Sequence, residues 1–471
     1  MTEQRRPSAD RPDLTSLTAI SPLDGRYRGD VADLAPFASE MGLIQTRIEI
    51  ESKYLIVLSS VGLVRPLSSE ERTMLVQMGP SLSLDQAERV KEIEDTTRHD
   101  VKAMERVMRE IVDGTSLEDV TEMIHFGLTS EDVNNLAYRL MLDRARISLI
   151  IPALDQVVDS LVDGAEKYKA VPMLGRTHGQ PAVPTTLGKE LANYAVRLNR
   201  QTRKAEEVEL TGKLDGAIGN FNAHTLAAPE IDWIEFSKNF VESLGLKPNL
   251  FTTQINPYED VIELFQAIQR ANGVVLDLDQ DIWRYISDDW FTQEVKKGEV
   301  GSSTMPQKVN PIRFENSEGN LAIANSLLEG MGRKLSTSRL QRDLSDSTTI
   351  RNIGVALGHG LLAYRNTSGG LARIHPKIEV INASLNENWN ILGEGVQTVL
   401  RRAGVDDPYS LIADLSRGKN IGPEQWVEWV KGLPVEDEVK DTIRELTPES
   451  YVGKAIELTD LALFEIRESK R

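Results

Sequence analysis

The sequence contains no cysteine, which excludes disulfides, thiolate nucleophiles, iron–sulfur clusters and thiolate zinc sites. Positive charge is also short. Lys+Arg 54 against Asp+Glu 72 leaves a net charge of −18, which argues against a general affinity for nucleic acid or anionic lipid. An anionic ligand would need positive charge gathered locally. Long apolar runs are missing as well: the most apolar stretch, RISLIIPALDQVVDSLV, is broken by Pro152, Asp155 and Asp159, so it cannot supply the roughly 20 apolar residues a bilayer demands. The start, MTEQRRPSADRPDLTS, lacks the apolar core of a secretory signal, and a cytoplasmic location with no membrane partner is expected. No GxxxxGK[ST] loop, GxGxxG after a strand, HExxH or GxSxG occurs, which weakens nucleotide-hydrolysing, dinucleotide, zinc-protease and esterase readings.

What is present is an ordinary composition, 40% hydrophobic and 27% charged over 471 residues, enough for a sizeable core. The dominant period is helical. Leu154, Val157, Val158 and Leu161 fall at i, i+3, i+4 and i+7, as do Leu191, Tyr194, Ala195 and Leu198. A third stripe, Val261, Leu264, Phe265 and Ile268, continues through Val275, Leu278 and Ile282 with no proline between Pro257 and Pro306. Such stripes predict long amphipathic helices in a bundle that packs on copies of itself. Proline and glycine punctuation divides the chain into a tail (1–16), an N-terminal helical part (17–115), a central long-helix part (116–372) and a C-terminal helical part (373–471).

Between the helices lie polar, glycine-punctuated islands. Ser21-Pro22-Leu23-Asp24-Gly25-Arg26-Tyr27 is turn chemistry, either a plain surface turn or one that offers Arg26 to an anion. Arg98, His99 and Asp100 stand together, as charges around a helix start or as a site. Thr129 and Ser130 with Asp132 read as an N-cap, whose free N–H groups and hydroxyls also suit a carboxylate or phosphate. In Gly175-Arg176-Thr177-His178-Gly179-Gln180-Pro181 the histidine is off any apolar stripe, so it is expected to face a cleft and to exchange a proton near neutral pH. The stretch from Gly298 to Pro311 reads as a loop between long helices in which Ser302 and Ser303 stand near Lys308, an activated hydroxyl with a cationic stabiliser or a plain connection. Arg339 to Asp343, then Ser347, Thr348 and Arg351, form an anion site or a salt-bridged turn.

GSSTMPQKVNP resembles the SSxMPxKxNP loop of the fumarase and aspartase superfamily. SPLDGRY, TTRHDV, LTSEDVNN, GRTHGQP, GNFNAH and LQRDLSDSTTIRN resemble the islands of the longer-chain bacterial adenylosuccinate lyases, from about Leu17 nearly to the end. The resemblance implies an all-α, three-domain subunit in a homotetramer, each active site shared by three subunits, with no metal and no cofactor. It implies β-elimination of fumarate from adenylosuccinate and from SAICAR. His178 is then the general acid and Ser302, chosen over Ser303 by the motif alone, the general base. Lys308 and Asn310 match positions that hold substrate carboxylates, and Glu315 the carboxylate that orients the histidine. Arg26, Tyr27, Arg98, His99, Asp100, Thr129, Ser130, Gln254, Ser303, Asn316, Arg342, Ser347, Thr348 and Arg351 match substrate contacts. Gln307 departs from the pattern, standing where many adenylosuccinate lyases have histidine, and glutamine there also occurs in argininosuccinate lyases. That sister activity, another fumarate-releasing lyase, and a catalytically silent helical scaffold are the competing readings. The intact set of Ser302, Lys308 and His178 speaks against the last.

Overall fold

The computed structural model describes residues 14–296, 298, 301, 304–416 and 421–470. The candidate serines Ser302 and Ser303 lie outside the described residues, as does most of the expected tail. In chain order the long elements are α1 (Glu40–Ser60), α2 (Leu84–Thr97), α3 (Asp100–Val112), α4 (Ser130–Ala145) and α5 (Ile151–Tyr168), then the strands β1 (Pro172–Thr177) and β2 (Gln180–Thr186). They continue with α6 (Leu187–Glu206), β3 (Thr211–Gly212), β4 (Lys247–Pro248), α7 (Glu259–Ser287), β5 (Phe291–Gln293), α8 (Ile312–Leu335), the short α9 (Ser345–Ile350), α10 (Ile353–Leu371), β6 (Ile374–Pro376) and α11 (Ala455–Ser469). The chain is mostly helical, as the periodicity predicts. Strand among the described residues is confined to three two-stranded sheets, β1–β2, β3–β4 and β5–β6.

Two compact units form, each discontinuous in sequence: Met1–Pro152 with Lys204–Asn272 and Asn320–Ala363, and Ala153–Arg203 with Gly273–Gly319 and Tyr364–Arg471. In the first unit Leu43, Ile44, Ile48, Leu55 and Leu58 of α1 are buried, and so are Val101, Met104 and Met108 of α3. α1 buries charge too, since Arg47 and Glu51 lie inside. The local signals that set helix ends are explicit: Ser39 Oγ accepts from Gly42 N at 3.1 Å and starts α1, and Ser83 with Gln86 forms a capping box at α2.

In the second unit the α5 stripe from Leu154 to Leu161, the α6 stripe from Leu191 to Leu198, and Val275, Leu278 and Ile282 of α7 are all buried. At roughly 1.5–3 kcal/mol for each large apolar side chain removed from water, these stripes hold the helices in place. The third stripe is a single 29-residue helix. Short helices towards the carboxyl end make their own core of Leu392, Val396, Leu400, Trp426, Val430 and Ile443.

Among the polar groups buried within this packing is a carboxyl. Asp279 of α7 is buried, and Thr367 Oγ1 lies 2.9 and 3.1 Å from its two oxygens. Burial pushes its carboxyl up to about 8, against the pull of hydrogen bonds from Ser317 and Thr367. The folded protein therefore holds a proton that the unfolded chain releases in the ordinary carboxylate range. The stability contribution is fully present below that range and declines as pH rises towards 8, by at most about 1.4 kcal/mol per unit. Asp279→Asn, compared with the parent by unfolding midpoints at pH 6 and pH 8, is expected to gain relative stability at the higher pH. An equal difference at both would show that the carboxyl is ionised in the fold.

Candidate active site

In the first unit, islands far apart in sequence are joined by direct hydrogen bonds. α2 ends at Arg98 in the left-handed region, φ 56°, which turns the chain at once into α3. His99 caps α3 through Nδ1, which accepts from Lys102 N at 3.1 Å. A neutral ring accepting there carries its proton on Nε2, and Nε2 lies 3.4 Å from Ser130 Oγ. Asp100 Oδ2 sits 2.7 Å from Arg47 Nη2 and 3.3 Å from Arg351 Nη2. Burial raises the Asp100 carboxyl, but the charge of and hydrogen bond from Arg47 outweigh it and hold the group below its usual range.

The expected N-cap at Thr129 is present: its N–H donates to Asp132 Oδ2 at 2.8 Å. Asp132 is itself fixed by Lys213, whose Nζ lies 2.8 Å from Asp132 Oδ1 and 2.8 Å from Asp215 Oδ1, all three side chains wholly buried. The approach to Thr129 needs glycine at 127, where φ is +71° and a Cβ would meet the His224 ring at 2.8 Å.

Arg342 Nη1 lies 3.3 Å from Gln254 Oε1, and its Nη2 lies 3.1 Å from Glu131 Oε2 and 4.0 Å from Asp346 Oδ1. Burial pushes the Glu131 carboxyl up to about 7, Arg342 drawing it back and Asp346 adding to the rise. Ser347 N caps onto Asp346 Oδ1 at 2.8 Å, and Thr348 O accepts from Asn352 Nδ2 at 3.1 Å. Arg351 Nη1 also meets Glu40 Oε2 at 3.0 Å. Thus the arginines expected to build a positive pocket are in part charge-matched already. Arg98 and the exposed Arg26 have no carboxylate partner among the described residues. Arg26 lies 5.9 Å from the centre of the Tyr27 ring, and Tyr27 packs on Leu23, Val31 and Leu362.

In the second unit the GRTHGQP island is the tip of the β1–β2 hairpin, a feature the helical periodicity does not reveal. Thr177 pairs with Gln180, and His178 and Gly179 between them take φ 53° and 73°, as a two-residue mirror-image turn requires. His178 is therefore exposed rather than set in a cleft of its own unit, and its ring has no hydrogen-bond partner among the described residues.

The loop before α8 is pinched at its neck. Asn310 Nδ2 donates to Gly301 O at 2.8 Å, Gln293 Nε2 to Val309 O at 2.9 Å, and a Cβ on Gly301 would meet Lys308 O at 2.0 Å. Lys308 is exposed and has no ion pair among the described residues. Glu315, in the first turn of α8, accepts from Trp283 Nε1 at 3.1 Å, and Asn316 Oδ1 accepts from Asn366 Nδ2 at 3.0 Å.

Several residues that shape the site are not among the candidate residues, although Glu131 lies within the LTSEDVNN island. Arg47 and Glu131 are buried counter-ions, and His125, Nδ1 2.5 Å from Glu51 Oε1, lies just before Thr129. The one available signal was charge at otherwise apolar helix positions, as at Arg47 and Glu51. Among the described residues no group of three or more His, Asp or Glu side chains is arranged to hold a metal ion, and no helix is long and apolar enough to cross a membrane.

The chain matches the family described as Lyase over residues 68–324 and the one described as Adenylosuccinate lyase C-terminal over residues 338–452. It is 44% identical over 452 residues to an adenylosuccinate lyase of Escherichia coli (strain K12), covering 95% of this chain and 99% of that one. It is 45% identical over 451 residues to an adenylosuccinate lyase of Haemophilus influenzae, with the same shares, 95% and 99%. The crystal structure of 3-carboxy-cis,cis-muconate lactonizing enzyme from Pseudomonas putida, 18% identical, gives a TM-score of 0.74 over 93% of this chain and 98% of that one, a likeness of fold.

Proposed function

Since the chain belongs to the adenylosuccinate lyase family, and is thus a lyase, we propose that it splits adenylosuccinate into AMP and fumarate, and SAICAR into AICAR and fumarate, in the cytoplasm. The observation that carries this reading is the joining of His99 to Ser130, Asp100 to Arg351 and Gln254 to Arg342 by direct contacts. Three islands together with Gln254, linked through Glu131 and Arg342 at 3.1 Å, so supply one cluster of arginine, imidazole, hydroxyl and amide groups, suited to an anionic nucleotide.

β-Elimination removes a proton from the carbon beside a carboxylate. The electrons form the C=C bond of fumarate as the C–N bond breaks, and the nitrogen takes up a proton. Ser302 is the base in this proposal and His178 the acid. Lys308 and Asn310 stabilise the carboxylate on which negative charge accumulates, and Glu315 orients the histidine. A serine hydroxyl is too weak a base in water, so the loop must exclude solvent around its alkoxide.

Copies of the subunit contribute these groups jointly, in a homotetramer whose active sites each draw on three chains. Purified protein run on a sizing column, and assayed by the absorbance change on fumarate release from adenylosuccinate and from SAICAR, tests both parts. A monomer that turns over neither substrate would refute the proposal, and turnover of argininosuccinate alone would move the chain to the sister activity.

A further inference from the structure

Glu131 occupies the second position of α4, where an acidic residue ordinarily lies exposed and favours the positive helix end. Here it is 3% exposed. Capping is done instead by Asp132, which takes the Thr129 N–H and the Lys213 ammonium. A buried carboxylate needs a cation, and the one whose nitrogen approaches Glu131 is Arg342, at 3.1 Å. Arg342 is otherwise tethered only loosely, at 3.3 Å from the Gln254 amide oxygen and 4.0 Å from Asp346. Its Nε–H is buried with no acceptor among the described residues. An arginine held at one edge, with donor capacity unused, is a group prepared for an anion rather than one filling its own needs.

We propose that Glu131 is a positioning residue for Arg342: its carboxylate fixes one edge of the guanidinium, so that the remaining N–H groups beside Gln254 are aimed at an anionic oxygen of the nucleotide before it binds. The inference rests on Arg342 being a nucleotide contact, as proposed above. Asp346 stands farther off, at 4.0 Å, and its two oxygens already accept from Tyr258 at 3.1 Å and from Ser347 N at 2.8 Å. Pre-orientation spares the side-chain ordering that binding would otherwise have to supply.

The test is a double-mutant cycle on Glu131→Ala and Arg342→Ala, read as KM for adenylosuccinate and as Kd for AMP by calorimetry, with Glu131→Gln as the conservative variant. Arg342→Ala and Glu131→Ala are each expected to raise both constants about tenfold, with kcat moved less. The double variant should be no worse than Arg342→Ala, and Glu131→Gln, which keeps an acceptor oxygen, should return to within about threefold of the parent. AMP affinity unchanged in Glu131→Ala, or a double variant in which the two effects multiply, would overturn the proposal. So would a lowered melting temperature with both constants intact, the mark of a purely structural residue. If Arg342→Ala leaves AMP affinity untouched, the nucleotide contact itself is wrong, a pattern distinct from failure at Glu131. Since AMP binding needs no turnover, the cycle reports on Glu131 even if the assigned reaction fails.

Discussion

His178→Asn is expected to lower kcat for fumarate release by about a thousandfold while AMP affinity stays within about threefold, because a positioned general acid typically supplies 10²–10⁴ in rate. Asparagine is the informative choice on structural grounds. His178 sits at φ 53° between paired strands, and asparagine is among the few residues that take the left-handed region readily. The turn survives while the imidazole is lost. Its ring has no hydrogen-bond partner among the described residues, so the change breaks no hydrogen bond seen there. The leaving nitrogen is a poor leaving group unless protonated, so the loss should fall on kcat and kcat/KM together. A variant retaining more than a tenth of parental kcat would remove His178 from the proton transfer. A loss of AMP binding in step with turnover would make it a binding group.

Lys308→Ala should lower kcat a hundredfold to a thousandfold, the roughly 3–4 kcal/mol that one well-placed donor contributes where charge develops. Most cations near the first unit's cluster are already matched: Arg351 with Glu40 and Asp100, Arg342 with Glu131. Lys308 has no such partner among the described residues, and the neck of its loop is fastened by Asn310 and Gln293, which limits where the side chain can reach. An unmatched ammonium on a tethered loop is suited to charge that appears only during reaction. Ser302→Ala, on the same loop, is expected to lose turnover to at least the same degree with nucleotide still bound. A rise in KM with kcat preserved in Lys308→Ala would assign the lysine to ground-state affinity instead.

Much of this was legible along the chain, but unevenly. Val261 to Ile282 predicted one long buried helix, and α7 is that helix, because apolar residues every third or fourth position leave no other way to keep one face dry. The Thr129 cap was legible because it involves residues three apart. His178 lies off the apolar stripes and is exposed at the tip of its hairpin. The two-residue turn that exposes it depends on β1 and β2 pairing, which helical patterning does not reveal.

The helices, their caps, the islands between them and, through the GSSTMPQKVNP loop, the superfamily can be read along the chain. Each of these is a local property, set by neighbours within a turn or two or by the chemistry of a short run. Folding is what brings His99 to Ser130 across 31 residues, Arg342 to Gln254 across 88 and Arg351 to Asp100 across 251. It also places Arg47 and Glu131 as the buried charges behind them. Pairs such as Arg47–Asp100 and Arg342–Glu131 form because helices packed by their apolar faces carry a few charged residues inward, where each charge must find an opposite one nearby. No spacing along the chain encodes which one it will be.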